Sequence, residues 1–244
     1  MNKAIILGCS HAAGIEMFRG IDQQGLDQRQ LDDYGYKNSY PMLIARDLGY
    51  VPVNHAIAGG SNDAMYRIGS ELIDQLSTND VVVACWTGPT RTEIWCDEES
   101  AWVPLAPGME HFWKINPDDT IPQGRLQYHQ NIKNHNNYIE YLKQWCTFDN
   151  YYQRWENNAV KNILALNFIA QQCKIQIINL FSFARITNQY ITKLGKWPLA
   201  SVDFTSWALS NNHQSTANGH FLFTAHREFA DDVLLELKNN HAQN

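Results

Sequence analysis

Lys3-Ala4-Ile5-Ile6-Leu7-Gly8-Cys9-Ser10-His11-Ala12-Ala13-Gly14 opens the chain: a short apolar run, then at once a turn of small residues. A turn of this kind at the carboxyl end of a first strand is where an α/β fold places a reactive side chain, because an adjacent helix N-terminus offers free backbone N–H groups. Ser10 is therefore the candidate nucleophile. The turn has neither the GxGxxG spacing of a dinucleotide site nor the GxxxxGK[ST] spacing of a P-loop. Its weight comes from the other end of the chain, where Gly219-His220 precedes a terminal helix and a base could return to the same edge of the sheet.

Working outward, strands and helices alternate. Val51–Ala56, Asp80–Trp86 and Lys174–Phe183 are β-branched apolar runs bounded by turn residues, which makes four buried strand candidates with Lys3–Leu7. Ser39 and Pro41 open a helix that carries Met42, Leu43 and Leu48 and stops at Gly49, as an N-cap and a C-terminal glycine dictate. Ser61 caps a second helix, whose Ala64, Ile68, Leu72 and Leu76 recur along one face. A third runs from about Tyr151 to Gln172, and the last carries Phe229, Val233 and Leu237. This alternation predicts a single three-layer α/β/α domain over residues 1–244, with a flavodoxin-like parallel sheet and ligands at its carboxyl edge.

One stretch breaks the pattern. From about 93 to 149 the sequence is rich in Trp, Asn, His and Pro, with no clear strand and only a weak helix near Ile132–Trp145. An irregular segment of this length reads as a lid or a binding insertion. Trp95, Trp102, Trp113, Trp145 and Trp155 either stack on sugar rings or form a satellite core that holds the insertion together.

Composition narrows the partners. A formal charge of -6 with scattered Lys and Arg argues against a surface built to neutralise phosphates, so no nucleic-acid partner is expected. No apolar stretch approaches the roughly 20 residues that span a bilayer, and the first apolar run is too short for a signal peptide. A soluble chain without a membrane partner is the expectation. Cys9, Cys85, Cys96, Cys146 and Cys173 are odd in number and contain no CxxC pair, which predicts reduced, mostly buried thiols. His213, His220 and His226 lack HExxH spacing, and His129 and His135 add no ligand pattern, so neither a metal nor another cofactor is expected. Arg91 and Glu93, just beyond the third strand, either pair with each other at the sheet edge or bind a substrate carboxylate.

Four stretches together resemble the SGNH, or GDSL-type, hydrolases. Ile5-Ile6-Leu7-Gly8-Cys9-Ser10-His11 looks like their first block, an apolar strand ending in Gly-Asp-Ser. Asn54-His55-Ala56-Ile57-Ala58-Gly59-Gly60-Ser61-Asn62-Asp63 resembles the second, whose glycine N–H helps bind the oxyanion. Val81-Val82-Val83-Ala84-Cys85-Trp86-Thr87-Gly88 sits where the third belongs, and Gly219-His220, followed by His226, is similar to the last. The resemblance implies acyl transfer to water. Ser10 attacks an ester carbonyl, His220 is the general base, and the Ser10 and Gly59 N–H groups hold the oxyanion.

The departures matter. Cys9 replaces the aspartate beside the nucleophile. Thr87 stands where the third block supplies an oxyanion asparagine, and Asn62 is a substitute by proximity; His11 lines the pocket. The position of the acid partner falls at Ala217 or Asn218, neither of them a carboxylate, which leaves three arrangements open: a Ser-His dyad, an Asn218-assisted His220, or a displaced acid at Asp203. The implied substrate is a small-molecule or glycan ester, with carbohydrate O-acetyl groups preferred. Two other readings remain: a non-catalytic carbohydrate-binding or assembly protein on the same fold, and an anion-cradling flavodoxin-like domain using the Gly8–Gly14 loop. For Ser10 the alternative role is a helix N-cap, and for His226 it is packing or hydrogen bonding inside the final helix.

Overall fold

The computed structural model describes residues 2–15, 17–18, 28–96, 101–105, 152–183, 202–217 and 219–241. A four-stranded parallel sheet runs β2-β1-β3-β6, with β1 at Lys3–Gly8, β2 at Val51–Asn54, β3 at Val81–Trp86 and β6 at Gln176–Phe181. The helices are α1 (Gln28–Asn38), α2 (Tyr40–Asp47), α3 (Asn62–Ile73), α4 (Tyr152–Gln172), α5 (Phe204–Ser210) and α6 (Phe223–His241). Alternation along β1, β3 and β6 separates two cores. Ala4, Ile6, Val81, Val83, Cys85, Ile178 and Leu180 face α2, α5 and α6, whereas Ile5, Leu7, Val82, Ala84, Trp86, Ile177 and Phe181 face α3 and α4. The expected three-layer α/β/α fold is therefore present. Its chain leaves β1 first for one neighbour, β2, and then for the other, β3, so the switch point of the sheet lies at the carboxyl end of β1.

Several local expectations hold and several change. Ser61 accepts from the Ala64 N–H at 3.1 Å as the N-cap of α3, and Gly49 takes a φ of +86° just past α2. Asp80 precedes β3 and ties its start to β1 by accepting the Lys3 N–H at 2.6 Å. β2 stops at Asn54 and leaves Val51 and Val53 exposed, because it is an edge strand and not an inner one. No helix follows Ser10 directly: Cys9–Ile15 forms a succession of turns, and the next described helix is α1, which the apolar spacing did not indicate. Ser39 makes no capping bond; its hydroxyl donates to the Ala12 carbonyl at 2.6 Å.

The first N–H of α2 is satisfied from elsewhere. Tyr40 donates it to Nδ1 of His226 in α6 at 3.1 Å, while the His226 ring also hydrogen-bonds the backbone of Phe221. An accepting Nδ1 requires the neutral imidazole. Burial favours that form, pushing the His226 pKa down to about 3, with the charge of His220 acting in the same direction.

The insertion opens on two strands that the sequence pattern did not indicate. β4 (Thr92–Cys96) pairs antiparallel with β5 (Ala101–Leu105), and Trp95 faces Trp102 across the pair, ring centroids 5.6 Å apart. Both Trp residues are largely exposed. Glu93 does not pair with Arg91: it takes a bidentate bond from Arg67 of α3, at 2.8 and 3.1 Å, and Arg67 also lies over the Trp102 ring. One turn earlier on α3, Asp63 accepts from Asn158 at 2.8 Å, from Asn162 at 2.6 Å and from Thr92. Trp113, Trp145, His129, His135 and the helix expected near Ile132–Trp145 lie outside the described residues.

Two stability predictions follow from these buried polar contacts. The Asp63→Ala change leaves three donors without their acceptor and should cost about 2–3 kcal/mol in chemical denaturation, whereas exposed Glu71→Ala should cost little. For His226 the native state refuses a proton that the unfolded chain takes up near pH 6.5, so stability is full above that pH and falls as the pH drops towards 3. His11 and His55 are shifted in the same direction. Between pH 6.5 and 5, His226→Gln should flatten the slope of stability against pH by up to about 1.4 kcal/mol per pH unit, and an unchanged slope would refute the assignment.

Candidate active site at the carboxyl edge of the sheet

Gly8 closes β1 with no room for a side chain. A Cβ there would lie 2.3 Å from the Ala12 Cβ and 3.1 Å from that of Cys85. The chain consequently doubles back on the strand end, with Ala13 N–H bonded to Cys9 O at 2.9 Å and Ile15 N–H to Ser10 O at 3.1 Å. Two side chains hold the turn from outside, since the Ala12 carbonyl accepts from both Ser39 Oγ and Asn54 Nδ2, the latter at 3.3 Å. Asn54 also donates to Tyr36 O and accepts from Ala56 N–H, binding the turn to α1 and to the end of β2. Ser39 and Asn54 were not indicated as site residues. A buried Ser or Asn leaves no periodicity to find.

The loop after β2 carries Gly59. It is pinned to β1 by His55 N–H on Ile6 O at 2.8 Å and Ile57 N–H on Gly8 O at 2.9 Å, and Gly59 itself adopts a φ of +77°. Among the described residues neither the Ser10 nor the Gly59 amide N–H donates a hydrogen bond. Asn62 begins α3 and clasps the backbone of Thr87, donating from Nδ2 to Thr87 O at 3.1 Å and accepting the Thr87 N–H on Oδ1 at 2.9 Å. Its amide oxygen and one of its two N–H groups are thus used in fixing the loop after β3.

His220 reaches the same edge on a closed loop. Ser215 and Phe221 form a bridge, the Thr216 N–H donates to His220 O at 2.7 Å, and Gly219 supplies the positive φ of +77° that the reversal needs. The His220 ring meets the His11 ring edge-on at 5.2 Å, and no hydrogen bond joins Ser10 to His220 among the described residues. Catalytic bonds are commonly loose in a free enzyme and tighten only around substrate. Ser10 is buried, at 6% exposure. Asn218 lies outside the described residues, and Asp203 caps α5, accepting the Ser206 N–H on Oδ1 at 2.8 Å. His226, six residues on, is committed to Tyr40 and Phe221 as described above.

His11 lies among Phe183 (4.7 Å between ring centroids), Phe204 (5.4 Å), Phe221 (6.0 Å) and His220. Burial chiefly, with electrostatic contributions from His220, His226 and Arg91, holds its pKa well below the usual histidine range, so the ring is neutral. Its Nδ1 is buried without a hydrogen-bond partner, and so are Thr87 Oγ1 and Arg91 Nη1. These three unsatisfied atoms belong to the loops that leave β1 and β3. The other such atom, His213 Nε2, lies 3.5 Å from a Glu228 carboxylate oxygen. Unpaired buried polar atoms close to a switch point mark a candidate binding site. Among the described residues no group of three or more His, Cys, Asp or Glu side chains could hold a metal ion, and no helix is long and apolar enough to cross a membrane. Cys9 and Cys85 are buried free thiols and Cys173 is a partly exposed one.

Solved structures similar to this chain include "TesA" at 14% identity and a TM-score of 0.47, covering 98% of this chain and 99% of the other. They also include the psychrotrophic esterase EstA from Pseudoalteromonas sp., at 11% identity, a TM-score of 0.47 and 100% coverage of both chains. The acetyl xylan esterase Est2A from Butyrivibrio proteoclasticus has 11% identity and a TM-score of 0.48, covering 99% of this chain and 64% of the other. At this level of similarity none of them assigns an activity to the chain. No curated protein matches the sequence. Residues 21–168, a span from before α1 into α4, match a defined protein family, and the chain belongs to DUF6071, a family of unknown function.

Proposed function

We propose that the chain is a serine esterase of SGNH type. Ser10 Oγ attacks the ester carbonyl as His220 takes its proton; the carbonyl oxygen becomes an oxyanion facing the Ser10 and Gly59 N–H groups. The C–O bond to the alcohol then breaks as His220 returns the proton to the leaving oxygen. Water, deprotonated by the same imidazole, cleaves the acyl-serine and releases the acid. The observation that carries this reading is the pair of amide N–H groups, Ser10 and Gly59, on the two loops at the end of β1, which make no hydrogen bond among the described residues. The blocks of sequence around them, and the return of the His220 loop to ring contact with His11, support it.

The roles of the remaining residues follow. Asn62 acts in this reading by fixing Thr87, with one Nδ2 hydrogen left for the oxyanion, and Thr87 contributes its buried hydroxyl to substrate. Asn218 orients His220 as a neutral acceptor. His11, neutral and buried, is a wall of the pocket next to the base. The exposed Trp95–Trp102 pair offers a stacking surface for a sugar ring, which makes carbohydrate O-acetyl esters the preferred substrates.

A second reading, a non-catalytic carbohydrate-binding or assembly protein on the same fold, draws on the commitment of the Asn62 amide to Thr87 and on Asp203 serving as a helix cap. Labelling by a fluorophosphonate probe separates the two. The parent protein should be modified at Ser10, and Ser10→Ala should lose both the label and aryl acetate hydrolysis while unfolding at the same denaturant concentration; an unlabelled parent supports the second reading. His220→Ala should lower kcat by on the order of a hundredfold or more, the scale of a lost general base. Near-parental turnover by that variant would remove His220 from the mechanism.

A further inference from the structure

Among the described residues Arg91 is a cation without an anionic partner. It follows the turn after β3, where its N–H donates to Gly88 O at 3.3 Å, and its guanidinium carbon stands 4.6 Å from the centre of the Phe183 ring, just past β6. The same ring meets His11 edge-on, so that one aromatic side chain is flanked by the guanidinium and by the neighbour of Ser10. The carboxylate nearest in sequence, Glu93, is held by both nitrogens of its bidentate partner Arg67, and Asp63 is filled by Asn158, Asn162 and Thr92. Nη1 of Arg91 is buried and makes no hydrogen bond.

A guanidinium cannot shed its charge, and a buried N–H without an acceptor is costly. Stacking on Phe183 holds the plane of the group but supplies no acceptor atom. The histidines of the site give no countercharge either, since an imidazole is neutral or cationic and never anionic. Thr87, at the head of the same loop, adds a second buried polar atom without a partner.

We propose that Arg91 binds a carboxylate carried by the substrate, so that the site selects esters with an anionic group close to the scissile bond. This deepens the esterase reading of Ser10 and rests on it for the word ester, while the anion site itself rests on Arg91 alone. A carboxylate accepts from the planar guanidinium fork in a geometry that an ammonium does not reproduce. The carboxylate can belong to the acyl part, as in a monoester of a dicarboxylic acid, or to the alcohol part, as in an acetylated hydroxy acid.

The test compares kcat/KM for phenyl acetate, phenyl hemisuccinate and 4-acetoxybenzoate in the parent and in Arg91→Gln and Arg91→Lys. One of the two anionic esters should exceed the neutral one by tenfold or more in the parent, and which of them does so identifies the part that carries the charge. The ratio of anionic to neutral kcat/KM should fall by at least tenfold in Arg91→Gln, mainly through KM, with Arg91→Lys between the two. A ratio equal in parent and variant, or no anionic preference in the parent, overturns the proposal. Calorimetric titration of the parent with succinate and with uncharged succinamide reads the anion site without chemistry and without a variant. Binding of succinate alone supports the site even if Ser10 proves inert, whereas equal binding of both, or of neither, overturns it.

Discussion

The closeness of Gly8 to Ala12 and Cys85 is the constraint on which the rest of the molecule turns. β1 is buried on both faces between β2 and β3, so its backbone can leave the sheet only at its end, and the absence of a side chain lets it reverse there at once. Ser10 and His11 are thereby placed over the switch point and not beside it. Any larger residue at position 8 would push the turn outward, separating it from Ser39 and Asn54, whose bonds to the Ala12 carbonyl give it a fixed position. The loop after β2 uses the same strand end, through Ile57 on Gly8 O, so both amide-bearing loops share one anchor.

Around this anchor the polar groups divide into those that are paired and those that are not. His226 is uncharged, deep in the protein, and bridges α2 to the residue that follows His220. Such a bridge fixes the loop bearing the proposed base without placing a charge in the core, which burial would disfavour. The Asn179 amide, bonded to Trp86 and Asn167, does the same on the other face of the sheet. Against that background of satisfied groups, the buried unpaired atoms of His11, Thr87 and Arg91 stand out.

Much of this was legible in the sequence, for reasons that particular residues make plain. Lys3–Leu7, Asp80–Trp86 and Lys174–Phe183 are mostly apolar because both faces of these strands are covered by helices, and the small residues of the Gly8–Gly14 turn mark where the first of them ends. Val51–Ala56 looked the same but is an edge, a distinction that composition alone does not carry. The pair β4 and β5 was obscured because Glu93, Trp95 and Trp102 serve side-chain contacts across the hairpin and to α3, and do not alternate as a core strand would. Pairing Arg91 with Glu93 by adjacency failed for a related reason: residues two apart on an extended segment point the same way, but Arg91 lies before the strand begins and Arg67 comes from a distant helix. The His226 bridge and the Asn54 clasp join residues far apart in the chain, and no local pattern records them.

Asp63 and Arg67 hold the first strand of the insertion on one side and the early part of α4 on the other, through Thr92, Glu93, Asn158 and Asn162. Among the described residues, the chain that leaves β3 and the chain that returns in α4 are therefore fastened side by side on one helix, α3. With both ends tied to α3, a change in the number of residues between them need not alter the strand order or the Ser10 turn.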